Sequence, residues 1–154
     1  MTELAKVAPD VLLDLDSQLC FALYSASRRV LRGYNELLEK FDLTYTQYVV
    51  LLVLWEWERC QHPRPTVKAL GERLDLENGT LTPLLRRLVH KGLLTRERSA
   101  VDEREVFVKL TPAGRDLKQR IVEVPLSMLA ICPLSLEELG ALREQLKRLR
   151  VETA

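Results

Sequence analysis

Apolar positions recur at three- and four-residue intervals over most of the chain, a spacing that predicts a largely helical fold. From Leu19 to Phe41 the stripe is Leu19, Leu23, Ala26, Val30, Leu37, Leu38 and Phe41, interrupted at Gly33. Asp16 or Ser17 can cap the start of this first helix, which is expected to run to about Lys40. Thr44 to Trp57 reads as a second helix, apolar on nearly every side and therefore central to a core. After a polar, proline-bearing loop from Arg59 to Pro65, Thr66 can cap a short helix over Val67 to Leu74. A turn at 75–79 leads into a helix ending near His90, with Gly92 as its stop. Asn78, Thr80 and Thr82 are each able to cap that helix, and Pro83 lies near its start.

Beyond Gly92 the period changes. Leu93 to Arg98 and Glu105 to Leu110 have strand character, and in the second Val106, Val108 and Leu110 alternate with Glu105, Phe107 and Lys109. The polar stretch 99–104 reads as a hairpin tip. Thr111-Pro112 starts a further helix, which Pro125 should kink or end. Ser135 and Glu138 form a capping box for a last helix carrying Leu139, Leu142, Leu146 and Leu149. Residues 1–15 lack periodicity and are expected to form a loose N-terminal arm.

The fold class is therefore mainly α (α+β), with a winged helix-turn-helix over about 44–112. The flanking helices, at about 16–41 and 112–152, would form a helical dimerisation region, all within a single domain from 16 to 154. The terminal leucine stripe reads as a packing seam whose natural partner is a helix pair of a second subunit; core within one chain is the alternative. At 154 residues the chain is long enough to bury a real core. It starts without a basic-then-apolar leader, and no apolar run approaches the roughly 20 residues that span a bilayer, so a soluble, cytoplasmic protein is expected, with no membrane partner. Cys20, Cys60 and Cys132 are too scattered for a disulfide framework and are expected to be thiols.

The formal charge of +1 conceals an uneven distribution. Between Arg86 and Arg115, the basic residues Arg86, Arg87, Lys91, Arg96, Arg98, Arg104, Lys109 and Arg115 outnumber Glu97, Asp102, Glu103 and Glu105. Such an excess is a candidate phosphate-facing surface. In a winged helix the second helix of the pair enters the major groove, and its N-terminal residues meet base edges. Asn78, Thr80 and Thr82 occupy that position; Arg86 and Arg87, one to two turns later, can read guanine or hold phosphate. At the hairpin tip Asp102 is spaced to orient Arg104. The same module can instead bind protein, in which case DNA binding of the salt-dependent kind would be missing.

Cys20 falls in the first turn of the first helix, where the positive end of the macrodipole favours a thiolate. Tyr24, Tyr34 and Tyr45 follow with hydroxyls able to donate to that sulfur, which would favour reaction with peroxides. The plainer alternative is a buried, inert thiol on an apolar face. Cys60 and His62, with no further ligand nearby, make a weak metal site, and neither a metal nor a cofactor is expected.

The stretch Leu19-Cys20-Phe21-Ala22-Leu23-Tyr24, the run Leu43-Thr44-Tyr45-Thr46-Gln47-Tyr48, the segment from Gly79 to Leu88 and the wing motif Asp102-Glu103-Arg104 resemble the MarR family of bacterial regulators. Within it they are similar to the organic hydroperoxide resistance repressors (OhrR), over roughly residues 16–150. The resemblance implies a homodimeric, non-enzymatic repressor bound to pseudo-palindromic double-stranded operator DNA. It implies that Cys20 senses organic hydroperoxide as inducer, with Tyr34 and Tyr45 hydrogen-bonding it from the other subunit and Tyr24 near the site. It also implies Cys132 as resolving thiol, or a small thiol forming a mixed disulfide. Two departures stand out. The segment 57–65 is about five residues longer than the family's connection, and the spacing of Cys132 from Pro125 differs by two residues. On a continuous helix two residues rotate a side chain by about 200°, so a helix break is needed there. Two rival functions remain: a regulator answering a phenolic ligand in the dimer cleft, and a thiol peroxidase. The second lacks a neighbouring arginine or threonine cluster, since Arg28 and Arg29 lie two turns from Cys20.

Overall fold

A computed structural model describes residues 9–102 and 104–149. The helices are α1 (Pro9–Leu13), α2 (Leu19–Leu38), α3 (Tyr45–Arg59), α4 (Val67–Leu74), α5 (Asn78–His90), α6 (Pro112–Ile121), α7 (Glu123–Ile131) and α8 (Leu136–Arg148). Between α5 and α6 lie strands β1 (Leu94–Arg98) and β2 (Val106–Leu110), antiparallel, with Leu94 opposite Leu110 and Arg98 opposite Val106. The chain divides into two compact units, Met1–Val122 and Glu123–Ala154. The division follows the helix break: α6 ends at Ile121, and Pro125 sits in the first turn of α7, where its missing N–H cannot continue the ladder from Ile121.

In the first unit α3 is the central element. Tyr48, Val50, Leu51, Val53, Leu54, Trp55 and Trp57 are buried, and α2, α4, α5, α6 and β2 pack around it. Its start is held by a capping box: Thr44 Oγ1 accepts from the Gln47 N–H at 3.4 Å, and Gln47 Oε1 accepts from the Thr44 N–H at 3.1 Å. Thr66, Thr111 and Ser135 cap α4, α6 and α8 as their sequences predict, the last with Glu138 in a second box.

Three expectations change. Residues 9–17 are helical rather than loose: Pro9 and Asp10 favour a helix start, and a 3-10 turn at Leu15–Ser17 follows, tied back by the Gln18 side chain to the carbonyls of Leu12 and Asp14. Residues 1–8 of the expected arm lie outside the described residues. Because Asp16 and Ser17 are used in that turn, the N-cap of α2 is Gln18, without a side-chain cap bond, and the helix ends at Leu38 before a second 3-10 turn, Glu39–Phe41. Finally, α5 is preceded by Glu77 at its N-cap, so Asn78, Thr80 and Thr82 are all inside the helix and none of them caps it.

The end of α5 is sharply set. Gly92 takes φ +69°, the Leu93 N–H donates to the Leu88 carbonyl at 3.1 Å, and the Gly92 N–H to that of Val89 at 2.9 Å. This is the left-handed cap that turns the chain directly into β1. Close by, the Trp55 indole N–H donates to the Gly114 carbonyl at 2.9 Å. A Cβ at Gly114 would stand 2.1 Å from the Leu93 carbonyl oxygen, so backbone meets backbone there. Gly114→Ala is expected to lower unfolding stability by about 1–3 kcal/mol through this overpacking, read as a shift of the urea midpoint.

Candidate nucleic-acid interface and thiol site

Helix α5 turns Leu81, Leu85 and Leu88 into the core at positions i, i+4 and i+7, each 0% exposed. Burying three leucines contributes roughly 5–9 kcal/mol, against at most about 1 for a surface ion pair, so this apolar face sets the helix's orientation. The opposite side follows without choice: Asn78, Thr80, Thr82, Arg86 and Arg87 are all exposed. Thr82 and Arg86, four apart, share one flank, and Thr80 and Arg87, seven apart, the other.

The hairpin beside α5 is pinned at its base and at its tip. The Val108 N–H donates to the Pro65 carbonyl at 2.8 Å, Thr66 bridges to Phe107, and the Arg64 guanidinium pairs with Glu105. The long connection after α3 therefore ends in a single bridge to the outer side of β2. At the tip, Asp102 Oδ1 accepts from the Arg104 N–H at 3.0 Å, and Ser99 Oγ accepts from the Val101 and Asp102 N–H groups. Asp102 thus organises the main chain carrying Arg104; the contact runs to its backbone rather than its guanidinium.

Arg64, Arg73, Lys91, Lys109 and Arg115 are paired with Glu105, Glu56, Asp42, Glu97 and Glu58. Among the described residues, Arg86, Arg87, Arg96, Arg98 and Arg104 have no ion-pair partner, and all are exposed on α5 or the wing. Arg96 and Arg98 were not singled out as contact residues in the sequence. Their signal was the strand alternation that places them on the face of Leu94.

Cys20 is the second residue of α2 and is exposed, as are Leu19, Phe21 and Leu23 around it. Tyr24 stands one turn on; its hydroxyl accepts from Arg28 Nη1 at 3.0 Å, which leaves the phenolic proton available to donate. Tyr34 and Tyr45 pack with ring centroids 5.0 Å apart, and Tyr48 stacks on Tyr34 at 6.0 Å. The Tyr45 N–H is held by Asn35 Oδ1 at 3.0 Å. Fourteen residues of helix separate Cys20 from Tyr34, about 21 Å along the axis, so one chain does not bring this thiol and these phenols together. Cys132 follows directly on α7, half-buried, its N–H donating to the Leu129 carbonyl at 3.3 Å. The helix is therefore broken at Cys132. His62 stacks on Trp57 at 4.5 Å, its Nδ1 accepts from the Arg64 N–H, and Cys60 Sγ lies 3.6 Å from the Trp57 carbonyl oxygen, so both side chains serve the loop.

Burial, reinforced by the neighbouring tyrosines, pushes the Tyr48 hydroxyl up to about 12; burial and then Tyr45 raise that of Tyr34. Both are neutral donors at physiological pH. Raised folded values mean this contribution to stability is intact below the ordinary 10.0 and lost as pH rises through about 12. An alkaline titration followed at 295 nm should show a late phase that Tyr48→Phe removes.

The arrangement is that of a winged-helix transcriptional regulator. Residues 32–121 match the family described as transcriptional regulator SarA/Rot, and the chain belongs to this MarR-type family. It is 45% identical over 134 residues to the organic hydroperoxide resistance transcriptional regulator of Bacillus subtilis strain 168, spanning 87% of this chain and 88% of that protein. Among solved structures it is similar to AbfR of Staphylococcus epidermidis. Reduced AbfR bound to DNA superposes with a TM-score of 0.75 at 34% identity, covering 92% of this chain and 95% of that one. The disulfide-formed AbfR gives 0.64 at 35% identity, covering 91% and 95%. No helix among the described residues is long and apolar enough to cross a membrane.

Proposed function

We propose that this protein is a homodimeric repressor that binds operator DNA when reduced and releases it when an organic hydroperoxide oxidises Cys20. The observation that carries the DNA half is that Arg86, Arg87, Arg96, Arg98 and Arg104, exposed on α5 and the wing, have no ion-pair partner among the described residues, which leaves this face positive. Asn78, Thr80 and Thr82 then meet base edges in the major groove, and Arg104, on a tip shaped by Asp102, reaches the minor groove. Such work belongs in the cytoplasm, where the DNA is.

Two features support the dimer. The apolar residues around Cys20 are uncovered, and α8 buries none of its residues although Leu142 and Leu146 lie along it and Leu149 follows at its end. The roughly 21 Å between Cys20 and Tyr34 along α2 supports a site completed by the partner's phenols. In the reaction, the Cys20 thiolate attacks the terminal peroxide oxygen, the O–O bond breaks, and the alkoxide leaves and takes up a proton from water to become the alcohol. Sulfur is oxidised by two electrons to a sulfenic acid as the peroxide is reduced. Condensation with a thiol, that of Cys132 in the partner subunit or of a small molecule, forms a disulfide and releases water. The tyrosine hydrogen bonds to the thiolate are lost, and the reading helices no longer match successive major grooves.

Mass spectrometry after one equivalent of cumene hydroperoxide should find Cys20 modified first. Cys20→Ser should retain DNA binding and lose peroxide-dependent release; if it still lets go of DNA on oxidation, the sensor assignment is wrong. A non-reducing gel should show a dimer-sized band after peroxide that Cys132→Ser abolishes; persistence of the band would assign the bridge to another thiol. Peroxide consumption should stop at one turnover per subunit, whereas sustained turnover with a thiol reductant would make the protein a peroxidase. A second reading rests on a groove of about 1000 Å³ beside α5, lined by Asn35, Glu39, Gln47, Arg86, Arg87 and His90. It would accept a small phenolic ligand, and DNA release by such a ligand without oxidant would favour it.

A further inference from the structure

Two hydroxyls can serve one sulfur only if the groups carrying them are held to roughly 0.5 Å. Tyr34 and Tyr45 lie on different helices, with the 3-10 turn Glu39–Phe41 and the left-handed residue Asp42 (φ +53°) between them. Buried Tyr48 lies against both rings, at centroid distances of 6.0 and 6.4 Å. Ring contacts alone do not fix the main chain that carries the rings.

Asn35 supplies that constraint. Tyr45 is the first residue of α3, so its N–H is one of the helix-start amides with no partner inside the helix. The capping box at Thr44 serves the N–H groups of Thr44 and Gln47 and leaves that of Tyr45. Asn35 Oδ1 accepts it at 3.0 Å. The oxygen must make this contact, because an amide NH2 cannot accept. Asn35 directly follows Tyr34, and its own carbonyl accepts from the Glu39 N–H at the end of α2. One side chain therefore joins the backbone beside Tyr34 to the amide of Tyr45. Asn35 is exposed, and asparagine is a poor helix former, so neither core packing nor helix propensity asks for it there.

We propose that Asn35 is a positioning residue of the thiol site, holding the Tyr45 amide so that the Tyr34 and Tyr45 hydroxyls converge on one thiolate of the partner subunit. It acts through Tyr45 rather than by touching sulfur or peroxide. The assignment rests on the sensor reading above and adds the residue that aims its phenols.

The full-length reduced protein would be mixed with cumene hydroperoxide at neutral pH and quenched at intervals with N-ethylmaleimide. Peptide mass spectrometry then follows the loss of free Cys20. Asn35→Ala should slow this oxidation about tenfold, the size of one hydrogen bond to a charged group. Asn35→Asp, which keeps the acceptor oxygen, should recover most of the rate; an aspartate variant as slow as the alanine one overturns the proposal. The deciding measurement is a double-mutant cycle with Tyr45→Phe. In that background Asn35→Ala should cost less than about twofold, because the hydroxyl it aims is already gone. A loss as large as in the wild type overturns the proposal by marking a general disturbance of the fold. So does an unchanged rate in Asn35→Ala at the wild-type melting temperature. The cycle decides even if the alanine variant melts early, since a general loss carries over into the Tyr45→Phe protein. A wild type whose Cys20 is not oxidised is a different result, because it removes the sensor reading itself.

Discussion

Helix α3 offers apolar side chains on nearly all sides, so it is stable only when other elements cover it all round. That requirement arranges the first unit. Helix α5 reaches the core through Leu81, Leu85 and Leu88, and a helix anchored by one face has no freedom over what its other face presents. The left-handed turn at Gly92 then delivers the chain into β1 alongside α5, and Gly114 lets α6 approach closely enough for its carbonyl to meet the Trp55 indole. Helix α5 and the wing hold their relation because both are secured to one buried helix.

The chemistry of the surface is the complement of that core. Where the strands alternate, the row that buries Leu94 and Val108 must carry Arg96 and Arg98 past the end of the core, next to Arg86. Lys91, by contrast, is held by a carboxylate, and its pairing with Asp42 ties the end of α5 to the junction between α2 and α3. That junction also carries the tyrosine cluster, through Asn35 and Tyr45. The tyrosines proposed to meet the partner's thiolate and the proposed DNA surface are therefore joined by short, packed steps within one unit.

Much of this was legible in the sequence where a local rule acts alone. The boxes at Thr44 and Ser135, the caps at Thr66 and Thr111 and the glycine stop at 92 each depend on neighbours a few residues away, and each falls where its rule puts it. Local rules failed where two competed for the same residues. Asp16 and Ser17 can cap a helix, but the 3-10 turn took them; three polar residues near the start of α5 can cap it, but Glu77 occupies the cap position. The tie of Arg64 to Glu105 was invisible because those residues are 41 positions apart and nothing local signals their meeting.

The sequence by itself determined the element order, the apolar face of each helix and the residue types available to meet DNA and peroxide, since these depend on periodicity and on side-chain chemistry. Only the tertiary structure decided which arginines stand without a carboxylate, that Arg96 and Arg98 join Arg86 in one cleft, and that Tyr34 and Tyr45 pack beside Tyr48. Charge pairing and clustering depend on distances between residues remote along the chain, and those distances are set by how the elements close around α3.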